Sequence, residues 1–341
     1  MDETAHRRFR LEDRSYSALI KKNIRAIITE INFTEKRAAE IDLIVSEIIT
    51  NILKHTIRGG ELLARSIFKD GYKGFEIIAL DSGPGIRELK KMSADGASTT
   101  KTLGYGLGSI NRFSDVFDIY SVPDWGTVVL SQVWELESFI QKKQQFEFGA
   151  VMVAKDGEEL CGDGWASFES KRILKIAVFD GLGHGPEAHS AAEAAINSFK
   201  NNLNLLPDQL LLITHDNIKK TRGVVGFILE IDKAKMSCTY SGIGNITCKI
   251  ISRYSSRNLI SYNGTIGHVI PGSISNHVID LNPLDMLIIH SDGIKSRREL
   301  ENRPAIFNHH PTTIAACIYN EQLRGIDDAT VIVVKINPLK F

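Results

Sequence analysis

Apolar residues recur at intervals of three and four through the first part of the chain. The pattern runs from about Ser15 to Ala64 and is clearest in the segments LIKKNIRAIITEI and KRAAEIDLIVSEIITNILKHT. This spacing aligns the apolar side chains along one face of a helix. The sequence therefore predicts two successive amphipathic helices in this region.

Shorter runs that are typical of strands follow these helices. The segment GFEIIALDSGPGI predicts a strand that ends at a glycine-proline turn. After a glycine-rich stretch, GSINRFSDVFDIYS predicts a helix that passes into a strand, and GTVVLSQVWE predicts another strand. The order helix, helix, strand, loop, helix, strand, strand predicts an α/β sandwich.

The pattern changes after a charged, glutamine-rich segment, ESFIQKKQQFE. Beyond it, short β-rich runs alternate with turn residues, and one clear helix, PEAHSAAEAAINSFKNNL, interrupts them. We therefore predict a two-domain fold of the α/β (α+β) class, with domains at residues 1–138 and 148–341 joined by a linker at 139–147. The second domain is predicted to be a β-sandwich flanked by helices. A chain of 341 residues can hold two such domains.

Composition narrows the class of protein. The 41 basic residues balance the 41 acidic ones, so no overall field favours nucleic acid or an anionic membrane as a partner. No apolar run reaches the roughly 18 residues that would span a bilayer, and the polar N-terminus does not resemble a signal peptide. We therefore expect a cytoplasmic protein. The cysteines Cys161, Cys238, Cys248 and Cys317 form no C-x-x-C pair, which predicts buried free thiols.

The first candidate site lies in the N-terminal domain. Glu47, Asn51 and His55 follow one another at steps of four and share one helix face, which by itself would also fit a solvated stripe. Asp81 begins D-S-G-P-G-I at a strand end, where glycines expose the backbone to a flat base and the carboxylate can accept from an amine. The stretch 96–108 is rich in glycine, serine and threonine and leads into a helix, which suits phosphate groups.

These motifs fit neither common nucleotide fold. There is no G-x-x-x-x-G-K-[ST] sequence, and G-x-G-x-G at 104–108 lacks the third Rossmann glycine. The ordered set E-x-x-x-N, D-x-G-x-G-I, G-x-G-L-G and G-T, over about residues 10–135, instead resembles the GHKL ATPases. More narrowly, it resembles the anti-sigma-factor and RsbT-like serine kinases.

The resemblance implies roles for individual residues. Asn51 would coordinate Mg²⁺ with ATP, Asp81 would hold the adenine amino group with support from Thr127, and Glu47 would orient or deprotonate the attacking serine hydroxyl. The remaining ATP-binding positions that it implies are Gly83, Gly85, Gly104, Gly106, Leu107 and Gly108, and the glycines at 104, 106 and 108 would form the lid over the phosphates.

The second candidate site is a set of acidic residues in the C-terminal domain. Asp163, Asp180, Asp292 and Asp327 each follow or interrupt a β-rich run, beside a glycine or another aspartate. Each one alone would fit a turn. Together they would suit a pair of Mg²⁺ or Mn²⁺ ions, which take oxygen ligands and activate water for attack on a phosphate ester.

Six ordered motifs carry a second resemblance. They are G-D at 162–163, D-G-L-G-H-G at 180–185, T-R-G at 221–223, G-I-G-N at 242–245, S-D-G at 291–293 and D-D-A-T at 327–330. They are similar to the SpoIIE-type phosphatases of the PPM superfamily, particularly to the RsbX-like branch, over about residues 146–337. The resemblance implies two Mn²⁺ or Mg²⁺ ions and the ligands Asp163, Asp180, the Gly181 carbonyl, Asp292 and Asp327, with Asp328 as a neighbour or an alternative ligand.

Three further features of the sequence allow more than one interpretation. His184 either shapes the loop at helix entry or assists proton transfer, and His189, His309 and His310 show no spacing that assigns a partner. Arg222 is the candidate for holding the substrate phosphate, since the arginine of many eukaryotic PPM enzymes is not identifiable.

The resemblances together imply a bifunctional regulator. It would phosphorylate and dephosphorylate serine or threonine on a STAS-domain anti-sigma antagonist or a stressosome component, and they also allow a homodimer. One alternative is a phosphatase regulated by an ATP-binding, non-catalytic N-terminal module that captures a sigma factor or a STAS protein. Another is a phosphatase for a small phosphorylated molecule.

Overall fold

The computed structural model describes residues 4–56, 59–69, 71–86, 105–136, 144–252, 255–296 and 303–338. Within these ranges the chain forms three five-stranded antiparallel sheets, one in the N-terminal half and two in the C-terminal half.

The N-terminal sheet carries helices on one face. Its strands are β1 (Arg7–Leu11), β2 (Gly60–Lys69), β3 (Tyr72–Asp81), β4 (Val116–Val122) and β5 (Gly126–Trp134), in the spatial order β1-β2-β3-β5-β4. The helices that bury apolar side chains against it are α1 (Tyr16–Glu30), α2 (Glu35–His55) and α3 (Tyr105–Phe113). This arrangement agrees with the predicted α/β sandwich.

Helix α2 forms as its pattern predicts. The Thr34 side chain accepts a hydrogen bond from the Arg37 N–H and so caps the first turn. The face toward the sheet consists of buried aliphatic residues, namely Ile41, Ile44, Val45, Ile48, Ile49 and Ile52. Glu47 and Asn51 therefore lie on a partly exposed side of the helix.

The structure corrects the predicted extent of the helical region. Helix α2 ends at His55, and residues 60–64 belong to β2 rather than to a helix. Gly59 adopts a φ of +73°, and a Cβ there would overlap the Leu11 carbonyl, so the start of β2 requires a glycine at this position. Strand β2 then pairs with both β1 and β3. Strand β1 was not predicted from the sequence.

The C-terminal half is a sandwich of two sheets. One sheet has the order β13-β10-β9-β8-β7 and the other β12-β11-β14-β15-β6. Their strands are β6 (Phe146–Val153), β7 (Asp163–Glu169), β8 (Ile173–Gly181), β9 (Val224–Asp232), β10 (Ser237–Ile243), β11 (Thr247–Ser252), β12 (Ser255–Asn258), β13 (His277–Asp280), β14 (Met286–His290) and β15 (Ala329–Ile336). A buried apolar core from both sheets lies between them, as predicted for a β-sandwich.

Three helices cover the outer faces of this sandwich. Helices α4 (Pro186–Asn201) and α5 (Pro207–Asn217) pack on the β8–β9 face, and α6 (Pro311–Gln322) packs on the β6–β15 face. Each begins with proline, which suits the first helical turn. Only α4 was predicted. Helix α6 escaped prediction because ten of its twelve residues are buried, so it lacks the polar face that marks an amphipathic helix.

Helix α6 also contacts the N-terminal sheet. One apolar cluster contains Ile78 and Leu130 of that sheet, Ile314 and Ile318 of α6, and Val331 of β15. The face of the N-terminal sheet that α1 and α2 leave open is therefore closed by a helix of the C-terminal half, and the two halves share a core.

Two predictions concern the chain as a whole. All four cysteines are free and buried, which confirms the prediction of free thiols. In the described part of the chain, no helix combines the length and the apolar character that crossing a bilayer requires.

Candidate functional site

The D-S-G-P-G-I turn follows the end of β3. Asp81 is paired with Thr127 across the β3–β5 ladder, and its Oδ1 accepts a hydrogen bond from the Gly83 N–H at 2.8 Å. Burial raises the pKa of Asp81, although the N–H groups of Gly83 and Thr127 work against this rise. Thr127 is buried, and its hydroxyl lies 2.9 Å from that of Ser121. The pair thus places a fixed carboxylate and a hydroxyl at the adjoining ends of the inner strands β3 and β5.

The glycines of this turn are required by close backbone contacts. Gly85 has a φ of +68°, and a Cβ there would overlap the Val122 carbonyl. A Cβ on Gly83 would lie 3.1 Å from the His55 carbonyl oxygen. The turn after β3 therefore packs against the C-terminal end of α2, the helix that carries Glu47 and Asn51.

Helix α3 lies beside the same ends of β3 and β5 and contacts α2. A Cβ on Gly106 would lie 2.7 Å from Glu47 Oε2 and 3.1 Å from Asn51 Oδ1, so the start of α3 lies directly against these two side chains. Gly108 also lies within α3, and Leu107 packs against the core of the N-terminal sheet. The predicted lid residue Gly104 lies outside the described residues. The predicted ATP-binding residues that are described all lie on or beside one region, which is formed by α2, α3 and the adjoining ends of β3 and β5.

The acidic residues of the C-terminal half meet at one end of the sandwich. Asp163, the first residue of β7, is the register partner of Asp180 near the end of β8. Such directly opposite residues have Cβ atoms roughly 5 Å apart on the same face of the sheet. Asp180, Gly181, Asp292 and Asp327 line a cavity of about 360 Å³. Separate segments, each ending a strand or preceding one, bring these residues together.

The clustered carboxylates oppose one another's ionisation. Burial and then repulsion from Asp163, Asp292 and Asp327 raise the pKa of Asp180. Burial, against a hydrogen bond from Ser291, also raises the pKa of Asp163. An excess of negative charge at one place is relieved by a bound cation.

Polar contacts hold several of these carboxylates in place. The Ser291 hydroxyl donates to Asp163 Oδ2 at 2.7 Å and accepts from the Thr330 N–H at 3.0 Å. Asn245 Nδ2 donates to Asp292 Oδ2 at 2.9 Å. Neither Ser291 nor Asn245 was assigned a role from the sequence, although both belong to motifs that the sequence singled out.

The residues fit divalent ions in charge and in donor type. Asp163 Oδ1 is buried without a hydrogen-bond donor among the described residues, so a cation would complete its environment. In the same described ranges, no three His, Cys, Asp or Glu side chains form a metal-holding group by themselves. Ions such as Mg²⁺ also take backbone carbonyls and retain several waters, and the Gly181 carbonyl belongs to the predicted ligand set.

Asp328 differs from its neighbour Asp327. It is buried, and its Oδ1 accepts a hydrogen bond from the Lys155 N–H at 2.9 Å, whereas Asp327 lines the cavity. Asp328 thus fastens the segment between β6 and β7 to the same end of the sandwich.

The other candidates lie around the cavity or away from it. His184 Nδ1 is 2.6 Å from Glu158 Oε1, and His189 Nδ1 is 2.8 Å from the Cys161 carbonyl oxygen. Arg222 forms an ion pair with Glu187 and is absent from the described cavity lining. His309 and the His310 N–H both contact Asp118 of β4, which places these two histidines at the interface between the halves.

Comparison with known proteins identifies both halves. The family of histidine kinase-like ATPase domains matches residues 10–132, and the Stage II sporulation protein E (SpoIIE) family matches residues 170–337. The serine/threonine-protein kinase RsbT of Bacillus subtilis (strain 168) is 34% identical over 110 residues, which cover 32% of this chain and 82% of RsbT.

Solved structures show the same folds. A chain from a study of the bacterial stressosome as a modular system that controls secondary messenger signalling has a TM-score of 0.54 and 29% identity, covering 56% of this chain and 100% of its own. RsbX in complex with magnesium has a TM-score of 0.51 and 21% identity, covering 58% and 98%. The SpoIIE phosphatase domain with a regulatory fragment, from Bacillus subtilis, has a TM-score of 0.50 and 19% identity, covering 96% of each chain.

Fold and motifs together define a chain that joins a histidine kinase-like ATPase domain to a SpoIIE-type domain with the fold of PP2C phosphatases. More narrowly, the chain belongs through its N-terminal domain to the RsbT family of serine/threonine kinases, and the domain that follows is of the SpoIIE type. This combination is consistent with regulation by partner switching.

Proposed function

We propose that this protein is a bifunctional partner-switching regulator. Its N-terminal domain transfers phosphate from ATP to serine or threonine of a protein, and its C-terminal domain removes phosphate with the help of Mn²⁺ or Mg²⁺. The target that we propose is a STAS-domain anti-sigma antagonist or a stressosome component, because the relatives RsbT and the stressosome protein point to that system. The observation that carries the proposal is the convergence of Asp180, Asp292 and Asp327 on one cavity beside Asp163.

In the phosphatase site, the carboxylates hold the ions. We assign Asp163, Asp180, the Gly181 carbonyl, Asp292 and Asp327 as ligands, and we assign Asp328 to holding the β6–β7 segment, with its second oxygen available to the site. When bound, two divalent ions supply charge neutralisation and an activated water for in-line attack on a phosphate ester. Asn245 keeps Asp292 oriented through its amide, and Ser291 does the same for Asp163.

The substrate phosphate would be held without a basic side chain. Among the described residues that line the cavity, none is lysine or arginine, and the side-chain amides there belong to Asn245 and Asn263. Arg222 lies close by, since its Nη1 would be 3.1 Å from a Cβ on Gly183. It remains engaged with Glu187, so we assign phosphate binding mainly to the ions and the amides.

In the kinase site, positioning supplies most of the catalysis. Phosphoryl transfer needs an aligned hydroxyl and charge neutralisation more than covalent chemistry. We assign Asn51 to the Mg²⁺ of bound ATP, Asp81 and Thr127 to the adenine ring, and Glu47 to the attacking hydroxyl. The contact of Gly106 with both Glu47 and Asn51 supports this assignment, because it places the N-terminus of α3 beside them.

One observation favours a second candidate function. Helix α6 packs on the N-terminal sheet and immediately precedes the segment that carries Asp327. ATP bound in the N-terminal domain would then serve as a conformational ligand that regulates the phosphatase, without phosphate transfer.

Radiolabelled ATP separates these functions. The full-length protein is incubated with a STAS-domain protein from the same cell, Mg²⁺ and Mn²⁺. Asp180→Asn should let label accumulate on the partner, because removal is blocked, whereas Glu47→Gln should transfer none. Glu35→Gln, an exposed site on the same helix, is the matched control and should behave as the wild type. Absence of transfer by every variant with ATP binding intact would support the regulatory alternative.

A further inference from the structure

The first residues of the chain link its two halves. The His6 N–H donates to the Met152 carbonyl at 2.7 Å and His6 pairs with Val153 of β6, whereas the next residues form β1 and pair with β2 of the N-terminal sheet. Ala5 packs against the core of the β-sandwich. Thr4 and Ala5 also line a cavity of about 340 Å³ whose wall includes Asp163. The N-terminal segment 4–11 thus belongs to both halves.

Arg8 lies in this segment and contacts two acidic residues. Its Nε donates to Glu61 Oε2 at 2.9 Å, and its Nη1 donates to Asp156 Oδ1 at 2.6 Å. The Arg8 side chain is 17% exposed and that of Glu61 is 16% exposed. Because a guanidinium is planar and presents its donors in a fixed fork, these two contacts fix the direction of the side chain.

Both acidic partners of Arg8 are connected to the proposed phosphatase site by further hydrogen bonds. Asp156 lies in the segment between β6 and β7, and the preceding residue, Lys155, donates its N–H to Asp328 Oδ1 at 2.9 Å. The same segment carries Glu158, which contacts His184 beside the cavity, and it ends at Asp163.

The second contact reaches the site through α6. Glu61 Oε1 accepts a hydrogen bond from the Tyr319 hydroxyl at 2.8 Å. At the end of this helix, the Gln322 carbonyl accepts from the Lys295 N–H, and the Arg324 N–H donates to the Gly293 carbonyl, both at 2.8 Å. The end of α6 is therefore fastened to the segment after Asp292 and leads into Asp327.

We infer that Arg8, a residue of the ATP-binding half, is a positioning residue of the phosphatase site. It holds the β6–β7 segment and α6 at a fixed separation, and these two elements carry or support Asp163, Asp292, Asp327 and Asp328. This inference rests on the proposed metal-dependent phosphatase function. A purely structural role, in which Arg8 only stabilises the contact between the two halves through Glu61 and Asp156, is the alternative.

Mn²⁺ affinity, measured by calorimetry on the full-length protein, is the readout that a structural role would not move. Arg8→Ala should weaken Mn²⁺ binding about tenfold, the lower end of the range for residues that orient metal ligands. Arg8→Lys should recover only part of the loss, because an ammonium cannot bridge both acids in the same geometry. Arg10→Ala is the matched control, because Arg10 also contacts Asp156 but is 53% exposed. The Mn²⁺ affinity of this variant should stay within about twofold of that of the wild type.

Two further measurements separate positioning from unfolding. The affinity for a non-hydrolysable ATP analogue should be unchanged in Arg8→Ala, and Asp156→Asn, a change outside the N-terminal sheet, should reproduce the weaker Mn²⁺ binding. In one outcome, the wild type binds Mn²⁺ and hydrolyses phosphoserine while Arg8→Ala and Asp156→Asn bind Mn²⁺ as tightly as it does. That result would overturn the inference about Arg8 and leave the proposed function standing. A wild type that neither binds Mn²⁺ nor releases phosphate would remove both.

Discussion

Asp163 and Asp180 are register partners on the adjacent antiparallel strands β7 and β8, with their carboxylates on the same face of the sheet. Like charges placed directly opposite each other destabilise a sheet. Burial raises the pKa of both groups, and repulsion from Asp163 adds to the rise at Asp180. The sheet end thus carries a local cost to stability that a bound divalent ion would offset.

Asp180→Asn should therefore stabilise the metal-free protein. Because the folded pKa of Asp180 is raised to about 10, its contribution to folding is complete only below its ordinary pKa of about 4 and falls steadily as the pH rises from there toward the raised value, so most of it is lost by pH 8. In a chelator at pH 8, the free energy of unfolding of Asp180→Asn should exceed that of the wild type by about 1 kcal/mol. Urea denaturation measures it. A less stable variant under these conditions would contradict the interpretation.

Gly106→Ala should separate stability from nucleotide chemistry. The added methyl would meet Glu47 and Asn51 and displace them, whereas alanine favours the helix over glycine by up to about 1 kcal/mol. We expect weaker binding of an ATP analogue and slower phosphate transfer in a protein that melts no lower than the wild type. Fluorescence titration and thermal unfolding give the two readouts. Unchanged affinity for the analogue would show that α3 does not border the nucleotide.

His6 should make the interface between the halves sensitive to acid. Burial and the nearby Arg65 lower the pKa of His6 to about 4. The unfolded chain takes up a proton near pH 6.5 that the folded chain resists, so the free energy of unfolding should fall between pH 6.5 and 4, by up to about 3 kcal/mol.

His6→Gln tests this assignment. His6 Nε2 lies 3.2 Å from Glu76 Oε1. Glutamine does not titrate and keeps a hydrogen-bonding amide near this carboxylate, so the slope of stability against pH should flatten within that window. Denaturant titrations at half-unit pH steps measure the slope. The same steepness in the variant would assign the acid sensitivity to other groups.

The shared core predicts that the two halves unfold together. Ile318 of α6 is 1% exposed in the cluster that also contains the N-terminal sheet, so Ile318→Ala should cost roughly 2 to 5 kcal/mol. Leu212→Ala, at a residue 42% exposed on α5, should cost less than about 1 kcal/mol. Calorimetry should record one transition, shifted by both an ATP analogue and Mn²⁺. Two transitions, each shifted by one ligand, would contradict a shared core.

The sequence predicted the elements whose surroundings are simple. Helix α2 has one buried face and one face toward solvent, so apolar residues recur along it with the period of a helix. That period correctly places Glu47 and Asn51 on the partly exposed side. The aspartates at strand ends were visible as residues, but their meeting in one cavity depends on the pairing of distant strands. Helix α6 could not be predicted because it is buried on nearly all sides and shows no amphipathic period. The link through Arg8 could not be predicted because it joins segments that are far apart in the chain.

Release of phosphate from a phosphoserine protein, followed as a function of Mn²⁺ concentration, tests the central assignment most directly. The wild type and the matched control Asp216→Asn, an exposed residue on α5 paired with Lys219, should hydrolyse the substrate only with Mn²⁺ or Mg²⁺. Asp180→Asn and Asp292→Asn should lose most of this activity, because each substitution removes one charged ligand of the two divalent metal ions. Undiminished turnover in both variants would show that the phosphatase chemistry does not reside at this cavity.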